Sequence, residues 1–505
     1  MKESSSNNGA SLRAEVNPPE ICFNVIDGKS IQSDKLIPVI DPSTGDKITS
    51  IAEADQDIVG QAVLSAKKTF QMGTWRNTRI EERQSILRSV ADLIDREAKS
   101  LAGLECLNTG IPMAHLLQGQ IPRAALNFRF FADYIGQTEG DLYTQNSDFL
   151  TFVRRDPVGV AALIGPWNAP LALLTMKAAA AIAFGNSCVV KPSEQTPLTM
   201  FAMMNLLKEA GVPDGVVNLV NGSGSVTGSA LCSHPDIDRI SFTGGTETGR
   251  AIMSAAANNL TPVTMELGGK SANIIFKSAD LDRALDGALL GIFSNNGQQC
   301  LAGSRILLEE SIAKDFIEKF KKRADQVRVG DPFDPRTEIG ALGSIRHRDR
   351  VLSFVEKGIN DGAELICGGK SIDDNNGAYM TPTAMQVSNN SAQICQEEIF
   401  GPFAVFQTFS STTEAFEIAN DTDFGLVSYV WSDDLNVITA AQAELRSGLV
   451  WVNTPMVREL RAPFGGFSDS GIGREGGKAC ESFYTEEKTV TVPTRKLELN
   501  KLGKE

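Results

Sequence analysis

Short apolar runs alternate with amphipathic segments along most of the chain. Segments 58–72 and 81–98 carry apolar residues at three- and four-residue spacing, which predicts amphipathic helices. Runs rich in β-branched residues at 158–164 and 187–190 predict buried strands, and the Ala-rich segment 177–183 between them predicts a helix. Alternation of strands and helices favours a parallel sheet covered by helices on both faces.

The alternation runs through two cycles, which predicts two α/β domains, each with a doubly wound parallel sheet. The first cycle ends near position 267, and the second begins at about Gly268. The remaining predicted elements are helices at 198–210, from about Thr246, at 281–293 and at 312–327, and strands at 216–220, 240–242, 273–276, 305–308 and 488–492.

Composition narrows the class of protein. The 505 residues carry a formal net charge of −14, with 42% hydrophobic and 22% charged residues, which is typical of globular proteins. The acidic balance argues against nucleic acid or an anionic membrane as a partner, because the average field repels phosphates. We therefore expect neither.

Membrane insertion and export are not expected either. The longest uncharged apolar run, 158–176, is interrupted by Pro166, Asn168 and Pro170, and is better interpreted as a strand, a turn and a helix start. The polar segment 1–20 has no apolar core of a secretory signal and is predicted to be a disordered tail.

Cysteine and histidine usage points to a cytoplasmic enzyme without a metal. The eight cysteines include no C-x-x-C pair and are too sparse for a disulfide scaffold. Only three histidines are present, so a zinc site has few available ligands.

A glycine-rich segment at 242–249, FTGGTETG, follows one predicted strand and opens a helix. Glycines 244, 245 and 249 would let the backbone approach a pyrophosphate at a helix N-terminus. The spacing differs from the usual dinucleotide G-x-G-x-x-G, so a plain glycine-rich turn remains an alternative.

The segment Lys191-Pro-Ser-Glu194 also follows a predicted strand, where doubly wound sheets bind ligands. Glu194 could accept both hydroxyls of an adenosine ribose. It would repel a 2′-phosphate by about 4 kcal/mol at ~4 Å, which favours NAD over NADP. The alternative is an exposed glutamate at a helix start.

Three residues carry candidate chemistry for acyl transfer. Cys300 lies in an uncharged, glycine-broken loop and could act as a nucleophile if its thiolate is stabilised. Glu266 ends an apolar strand and could act as a general base with a raised pKa. Asn168 lies between two prolines and could donate to an oxyanion. Each has a plain structural alternative: a buried hydrophobe, a solvent-facing glutamate and a turn asparagine.

The motifs GPWN, KPSE, FTGGTETG, MELGGK, GQQC, EEIFGP and PFGG, in this order between about 35 and 493, resemble those of the NAD(P)-dependent aldehyde dehydrogenase superfamily. The resemblance implies that Cys300 is the nucleophile and that Glu266 is the base that activates water. Asn168 and the Cys300 backbone N–H would then form the oxyanion hole. Gly245 replaces a serine found in many relatives, without loss of the backbone path.

The resemblance also implies NAD as cofactor and a small-molecule aldehyde as substrate. The implied cofactor-binding residues are Ile164, Trp167, Lys191, Ser193, Glu194, Gly244, Gly245, Thr246, Gly249, Leu267, Glu398 and Phe400. No metal is implied.

Segments 120–132 and 452–466 are similar to those of hydroxymuconic and carboxymethyl-hydroxymuconic semialdehyde dehydrogenases. Arg123 with Arg461 or Arg458 would hold a substrate carboxylate, because guanidinium matches carboxylate bidentately. Structural ion pairs are the alternative for these arginines.

General aliphatic or aromatic aldehydes and betaine aldehyde are alternative substrates. A non-catalytic relative would be expected to lack the thiol or the base. A relative that transfers the acyl group to phosphate or coenzyme A would not need Glu266.

The implied architecture has an NAD-binding domain at 21–139 and 159–267, a catalytic domain at 268–478, and a small β element at 140–158 and 479–497. Because the strand near 488 appears isolated, we expect it to pair with a neighbouring subunit, which predicts a homodimer or homotetramer.

Overall fold

Helices and strands alternate along the described part of the chain, which comprises residues 9, 11–144, 146–372 and 376–503 of a computed structural model. The strands are β1 Ile21–Cys22, β2 Asn24–Ile26, β3 Lys29–Ile31, β4 Leu36–Ile40, β5 Lys47–Ala52, β6 Leu142–Tyr143, β7 Phe149–Pro157, β8 Val160–Ile164, β9 Ser187–Lys191, β10 Val217–Leu219, β11 Arg239–Thr243, β12 Val263–Glu266, β13 Ala272–Ile275, β14 Arg305–Glu309, β15 Glu364–Cys367, β16 Ser371–Ile372, β17 Tyr379–Met380, β18 Thr383–Gln386, β19 Phe403–Phe409, β20 Phe424–Gly425, β21 Val427–Trp431, β22 Leu449–Val452, β23 Phe467–Ser468, β24 Gly471–Ile472 and β25 Thr485–Pro493.

The α-helices are α1 Gln56–Met72, α2 Ile80–Arg96, α3 Ala98–Thr109, α4 Met113–Gln118, α5 Gln120–Tyr134, α6 Pro170–Ala183, α7 Leu198–Glu209, α8 Ser229–Cys232, α9 Thr246–Ala257, α10 Leu281–Phe293, α11 Glu310–Ala324, α12 Ile345–Asn360, α13 Gln393–Gln396, α14 Thr412–Asn420, α15 Leu435–Glu444 and α16 Gly477–Tyr484. Short 3₁₀ turns cover Ile135–Gln137 and Ser294–Gly297, and a π-helical turn covers Gly224–Gly228. None of the helices in the described ranges has both the length and the apolarity needed to cross a bilayer.

The first sheet has eight strands in the order β24-β12-β11-β8-β9-β10-β2-β3. Its five central strands are parallel, and the strand order reverses between β8 and β11. Open parallel sheets bind ligands outside the carboxyl ends of the strands at such a reversal. Four of these five strands end at Ile164, Lys191, Thr243 and Glu266, so the predicted candidates Ile164, Lys191 and Glu266 meet at one edge of the sheet.

The second sheet has seven strands in the order β15-β18-β19-β14-β13-β21-β22, and only β15 is antiparallel to its neighbour. Residues 267–271 alone connect β12 to β13. This short connection brings the carboxyl edge of the first sheet to the amino edge of the second. Both predicted doubly wound sheets are present, and Cys300 precedes β14 at the junction between them.

A third sheet has three antiparallel strands in the order β25-β7-β6. The C-terminal strand β25, predicted to be isolated, pairs along nine residues with β7 of its own chain. Its backbone groups on one side are therefore satisfied without a partner subunit, while the other side remains a sheet edge.

The N-terminal segment differs from the predicted disordered tail of 1–20. Positions 1–8 and 10 lie outside the described residues, whereas residues 11–14 are helical. The Arg13 guanidinium pairs with Asp41 and lies 2.9 Å from an Asp331 oxygen. It also stacks over the Phe333 ring at 4.6 Å, so this segment is held on the folded chain.

The end of the chain also differs from the predicted domain boundary at 478. Strand β24 pairs with β12 of the first sheet. Cys480 and Tyr484 of α16 are buried in the core of the first domain, and the Tyr484 carbonyl accepts a hydrogen bond from Asn186. Residues 471–484 thus return to the first domain.

Candidate active site

A cavity of about 460 Å³ lies between the two sheets. A second cavity of about 490 Å³ shares five lining residues with it and extends it along α9. Together they form one long cleft along the carboxyl edge of the first sheet. The predicted residues that line the first cavity are Ile164, Trp167, Asn168, Lys191, Ser193, Glu194, Gly244, Gly245, Glu266, Leu267, Cys300, Glu398 and Phe400.

The cysteine loop begins where α10 ends. Asn295 and Asn296 adopt left-handed φ values of 55° and 57°, which turn the chain sharply after the helix. At Gly297, φ is +70°, and a Cβ there would lie 2.3 Å from the Gly401 carbonyl carbon, so only glycine fits. The loop presents Cys300, whose side chain is half-buried at the cavity.

Burial, followed by the nearby carboxyl groups of Glu398 and Glu266, raises the pKa of Cys300 to about 12. The thiol is therefore protonated at neutral pH in the free protein. A nucleophilic role requires a proton acceptor or a stabilising charge in the complex with substrate.

Asn168 is hydrogen-bonded to the cysteine loop through both its side chain and its backbone. Its side-chain amide donates to the Gln298 carbonyl at 2.7 Å, and its own carbonyl accepts from the Asn295 amide at 3.0 Å. One Nδ2–H is thereby fixed, which orients the second N–H of the same amide. The structure brings Asn168 and Cys300 to the same cavity, as an oxyanion site requires.

Glu266 ends β12 and is only 4% exposed. Neither carboxylate oxygen accepts a hydrogen bond from any described residue. Burial, with a contribution from Glu475, raises its pKa well above the usual range. A Cβ at Gly465 would lie 2.8 Å from Glu266 Oε1, so the carboxyl group packs against the glycine pair of the PFGG segment.

A buried ion pair lies behind this carboxyl group. Lys177 Nζ is 2.6 Å from Glu475 Oε1 and 3.0 Å from the Ser241 hydroxyl. Both charged side chains are at least nine-tenths buried. The negative charge of Glu475 raises the pKa of Glu266, and the positive charge of Lys177 lowers it.

The part of the cleft that runs along α9 is lined by glycine backbone together with small and apolar side chains. A Cβ added at Gly224 or Gly245 would meet no atom of the chain, so these positions face open space in the cleft. Lys191 is 97% hidden from solvent, with Nζ 3.1 Å from the Pro192 carbonyl and 3.9 Å from Glu194. Burial lowers the pKa of Lys191.

Two of the predicted cofactor-binding residues do not line either cavity. The Thr246 hydroxyl donates to the Asp469 carbonyl at 3.2 Å instead. A Cβ at Gly249 would lie 2.8 Å from Leu267, so this glycine allows α9 to pack closely against the sheet. In the structure both residues support the cleft through contacts within the chain, and their contact with a cofactor stays a prediction.

Glu398 and Phe400 close the cavity from the second domain. The Gly269 backbone N–H donates to Glu398 Oε1 at 3.0 Å. The Phe400 carbonyl lies 2.7 Å from His347 Nε2, and both rings contact Trp167 edge to face. Burial lowers the pKa of His347 to about 4, which keeps the imidazole neutral.

His347 and Arg350 are cavity residues that sequence reasoning missed. Arg350 donates to the carbonyls of Ile399 and Glu398 at 2.9 and 3.0 Å. His347 and Arg350 lie three residues apart on α12. No recognisable motif surrounds them in the sequence, so only the fold identifies them as cavity residues.

The three candidate arginines have different surroundings. Arg461 is exposed, and Glu459 occupies its guanidinium with two contacts of 2.9 Å. Arg123 and Arg458 are half-buried and close enough for the charge of Arg458 to lower the Arg123 pKa, which burial brings to about 10. The structure therefore favours Arg458 over Arg461 as the partner of Arg123.

Arg458 lies near the reactive groups. Its guanidinium carbon is 3.8 Å from the Phe464 ring centroid, and Nη1 is buried without a hydrogen-bond partner in the described ranges. Burial lowers the pKa of Arg458, and the nearby Glu475, Glu266 and Cys300 oppose that shift. A buried guanidinium with a free donor is suited to an anionic ligand.

The described residues contain no cluster of three or more His, Cys, Asp or Glu side chains that could hold a metal ion. The arrangement supplies a thiol, an oriented amide donor and a buried carboxyl group beside a long cleft.

The chain is similar to known proteins along most of its length. A model of the "Aldehyde dehydrogenase family" matches residues 29–490. Retinal dehydrogenase 2 of Gallus gallus is 40% identical over 95% of this chain and 93% of its own length. The 5-carboxymethyl-2-hydroxymuconate semialdehyde dehydrogenase of Escherichia coli is 41% identical over 90% of this chain and 97% of its own length.

The fold is also similar to that of solved structures. The crystal structure of indole-3-acetaldehyde dehydrogenase in complex with NAD⁺ superimposes with a TM-score of 0.94 at 36% identity, covering 97% of this chain and 99% of the other.

Proposed function

Because the chain belongs to the aldehyde dehydrogenase family, we propose that it oxidises an aldehyde that carries a carboxylate, with NAD⁺ as the oxidant and Cys300 as the nucleophile. The observation that carries this proposal is the position of Cys300: its thiol shares one cavity with Asn168, Glu266 and the long cleft.

The chemistry begins at the sulfur atom. The Cys300 thiol releases its proton to solvent that enters the cavity, and the sulfur forms a bond to the aldehyde carbon, so that the carbonyl oxygen becomes an anion. The free N–H of Asn168 and the backbone N–H of Cys300 donate to this oxygen. NAD⁺ held in the cleft would supply the acceptor for the hydride of the same carbon, and loss of that hydride would leave a thioester on Cys300.

Glu266 completes the turnover. In its carboxylate form, whose basicity is increased by the raised pKa, Glu266 accepts a proton from water as the water oxygen attacks the thioester carbon. The C–S bond breaks, the carboxylic acid leaves, and the sulfur takes the proton from Glu266, which restores the thiol. Hydrolysis needs no coenzyme A or phosphate.

The cleft fits NAD⁺ by the chemistry of its lining. The open space at Gly224 and Gly245 would accept a pyrophosphate beside the N-terminus of α9, where backbone N–H groups favour an anion. Lys191 and Glu194 would hold the adenosine ribose, with Glu194 disfavouring a 2′-phosphate. Glu398 and Phe400 would hold the nicotinamide half.

Arg123 and Arg458 support the substrate class. Both are half-buried and lie close to each other, and Arg458 is also close to Glu266 and Cys300. Arg458 keeps one donor unpaired among the described residues. A carboxylate on the aldehyde would pair with these donors. The similarity to a curated semialdehyde dehydrogenase points in the same direction.

The experiment compares purified protein on matched aldehydes, with NADH formation as the readout. Succinic semialdehyde and its methyl ester differ only in the charge, and benzaldehyde and betaine aldehyde represent the alternative classes. We expect the highest kcat/KM with the charged semialdehyde, faster reaction with NAD⁺ than with NADP⁺, and no dependence on coenzyme A. Equal or better use of the ester would contradict the carboxylate preference.

The three-stranded sheet supports a homo-oligomer. Strand β25 leaves one edge open, and Leu142, Tyr143, Leu150 and Val492 of this sheet are exposed. Open edges with apolar side chains favour pairing with another copy. Light scattering is expected to give the mass of a dimer or tetramer.

A cytoplasmic location is part of the same proposal. All eight cysteines are free thiols in the structure, which fits a reducing compartment.

A further inference from the structure

The C-terminal half of α3 lies behind the cavity and contacts the loops that carry its key residues. Glu105, on this helix, is fully buried, and Asn108 is 3% exposed. Neither side chain lines the cavity, and neither belongs to a motif identified in the sequence.

Glu105 supplies a helix cap that the sequence of α6 lacks. The residue before α6 is Ala169, whose side chain cannot accept a hydrogen bond, so the first backbone N–H groups of α6 need another acceptor. Glu105 Oε1 accepts from the Leu171 N–H at 3.3 Å. Glu105 Oε2 accepts from the Thr199 hydroxyl at 2.6 Å.

This cap is close to the oxyanion donor. Asn168 lies two residues before Pro170, the first residue of α6, so the position of the first turn of α6 fixes the end of the loop that presents the Asn168 amide.

Asn108 caps the N-terminus of α7 in the same way. The residue before α7 is Pro197, which also offers no side-chain acceptor. Asn108 Oδ1 accepts from the Leu198 N–H at 3.2 Å, and its Nδ2 donates to the Gln195 carbonyl at 2.7 Å. The loop held in this way is the one that carries Glu194.

We propose that Glu105 and Asn108 are positioning residues with separate duties: Glu105 fixes the Asn168 amide for oxyanion stabilisation, and Asn108 fixes the Glu194 loop for cofactor binding. The two backbone caps serve different helices: Glu105 accepts from the Leu171 N–H of α6, and Asn108 accepts from the Leu198 N–H of α7. The Thr199 hydroxyl of α7 holds the second Glu105 oxygen and so orients the carboxyl group toward α6. The inference rests on the proposed function of Asn168 and Glu194.

The test uses two reactions of the Cys300 thiol that differ in one respect. Acylation by p-nitrophenyl acetate passes through a tetrahedral oxyanion and releases p-nitrophenolate, whereas alkylation by iodoacetamide displaces iodide without an oxyanion. The ratio of the two rates therefore reports the oxyanion site and is insensitive to thiol exposure. NAD⁺ affinity is measured separately by titration of tryptophan fluorescence.

For Glu105→Gln we expect the acylation rate to fall about tenfold, since small misplacements of a catalytic group have effects of this size or larger. The alkylation rate and the NAD⁺ dissociation constant should change by less than about twofold. For Asn108→Ala we expect the NAD⁺ dissociation constant to rise about tenfold, with an unchanged ratio of acylation to alkylation.

Two further variants distinguish a specific loss of positioning from a general loss of structure. Thr199→Val removes one hydrogen bond from the Glu105 carboxyl group and should lower the same ratio by a smaller factor. Glu481→Gln alters another buried glutamate, which accepts from the Tyr134 hydroxyl at 3.0 Å, and should leave both readouts unchanged.

An unchanged ratio in both Glu105→Gln and Thr199→Val would overturn the inference, as would parallel loss of acylation and alkylation. An Asn108→Ala variant with wild-type NAD⁺ affinity would overturn the second duty. If the wild-type protein forms NADH from aldehydes, these failures leave the proposed function intact; without NADH formation, the proposed function itself fails.

Discussion

The two sides of Cys300 are built differently. On the cofactor side, strand ends and glycine backbone form the wall, and Gly224 and Gly245 face open space. On the substrate side, Arg458 of the loop 453–462 lies near the reactive groups, with Arg123 of α5 close to it. The Nη1 atom of Arg458 is buried and has no hydrogen-bond partner among the described residues.

The difference separates general chemistry from specificity. Backbone at the end of a sheet cannot be changed by a single substitution, so the cofactor side is suited to a ligand shared by a whole family. Side chains on loops can be exchanged without disturbing the sheets, so the substrate side can discriminate between aldehydes. The relatives reported above are named for different aldehydes, yet each matches this chain along at least 90% of its length.

Removal of the Cys300 thiol, which lies between the two sides, should reduce enzymatic activity more than any other change. Cys300→Ala should abolish NADH formation with every aldehyde, because the carbon–sulfur bond cannot form. NAD⁺ binding should persist, since the thiol contributes no cap or ion pair to the cleft. Measurable turnover in this variant would refute the nucleophilic role.

Loss of the amide donor should be the next largest effect and should not depend on the aldehyde. Asn168→Ala is expected to lower kcat by about 10²–10³-fold, the usual consequence of deleting one oxyanion donor. Steady-state kinetics on a charged and an uncharged aldehyde should show the same factor. If the loss of kcat differed strongly between the two aldehydes, Asn168 would contribute to substrate discrimination and not only to oxyanion stabilisation.

A change on the substrate side should depend on the aldehyde. Arg458→Ala is expected to raise KM for a carboxylated semialdehyde about 10–100-fold, as for a lost charged hydrogen bond. KM for the methyl ester should stay within about twofold.

Arg461→Ala is the matched control, because Glu459 already occupies that guanidinium. A comparable rise in KM for this control would assign the anion to Arg461 and contradict the role given to Arg458.

The smallest expected effect is a pH dependence of the free energy of unfolding that comes from Glu105. Burial raises the pKa of Glu105 from 4.5 to about 7, so the folded state retains a proton that the unfolded state releases. This contribution to stability is present below about pH 4.5 and is lost as the pH rises to about 7, by roughly 3 kcal/mol in total.

Glu105→Gln has no such titration. The Tm of the wild type minus that of the variant should therefore decrease between about pH 5 and pH 8 in thermal melts. Thr199→Val keeps the carboxyl group, so its Tm should follow the pH trend of the wild type. A difference that grows with pH would show that Glu105 is stabilised as a carboxylate.

Local periodicity and strand-end motifs made much of this molecule predictable. The helix at 281–293 and the strand starting at Ser187 agree with the structure because their apolar patterns are complete within the segment. The order of the motifs also placed Cys300, Asn168 and Glu266 in one site.

Features that depend on distant pairing were not predictable. Strands β2 and β24 are only three and two residues long and exist through their partners in the first sheet. A helix start was predicted within the run 158–176, but its first residue was not; the helix predicted at 177–183 begins at Pro170 in the structure. Local sequence offered no reason to prefer Arg458 over Arg461, which differ in burial and in the partner that Glu459 provides.

The most direct measurement of the central claim traps the acyl group on sulfur. The Glu266→Gln variant, mixed with NAD⁺ and a semialdehyde, is quenched in acid and digested, and the peptides are weighed by mass spectrometry. We predict that the added acyl mass lies on the peptide that contains Cys300. An acyl group on a different cysteine, or NADH formation with no acylated peptide, would contradict it.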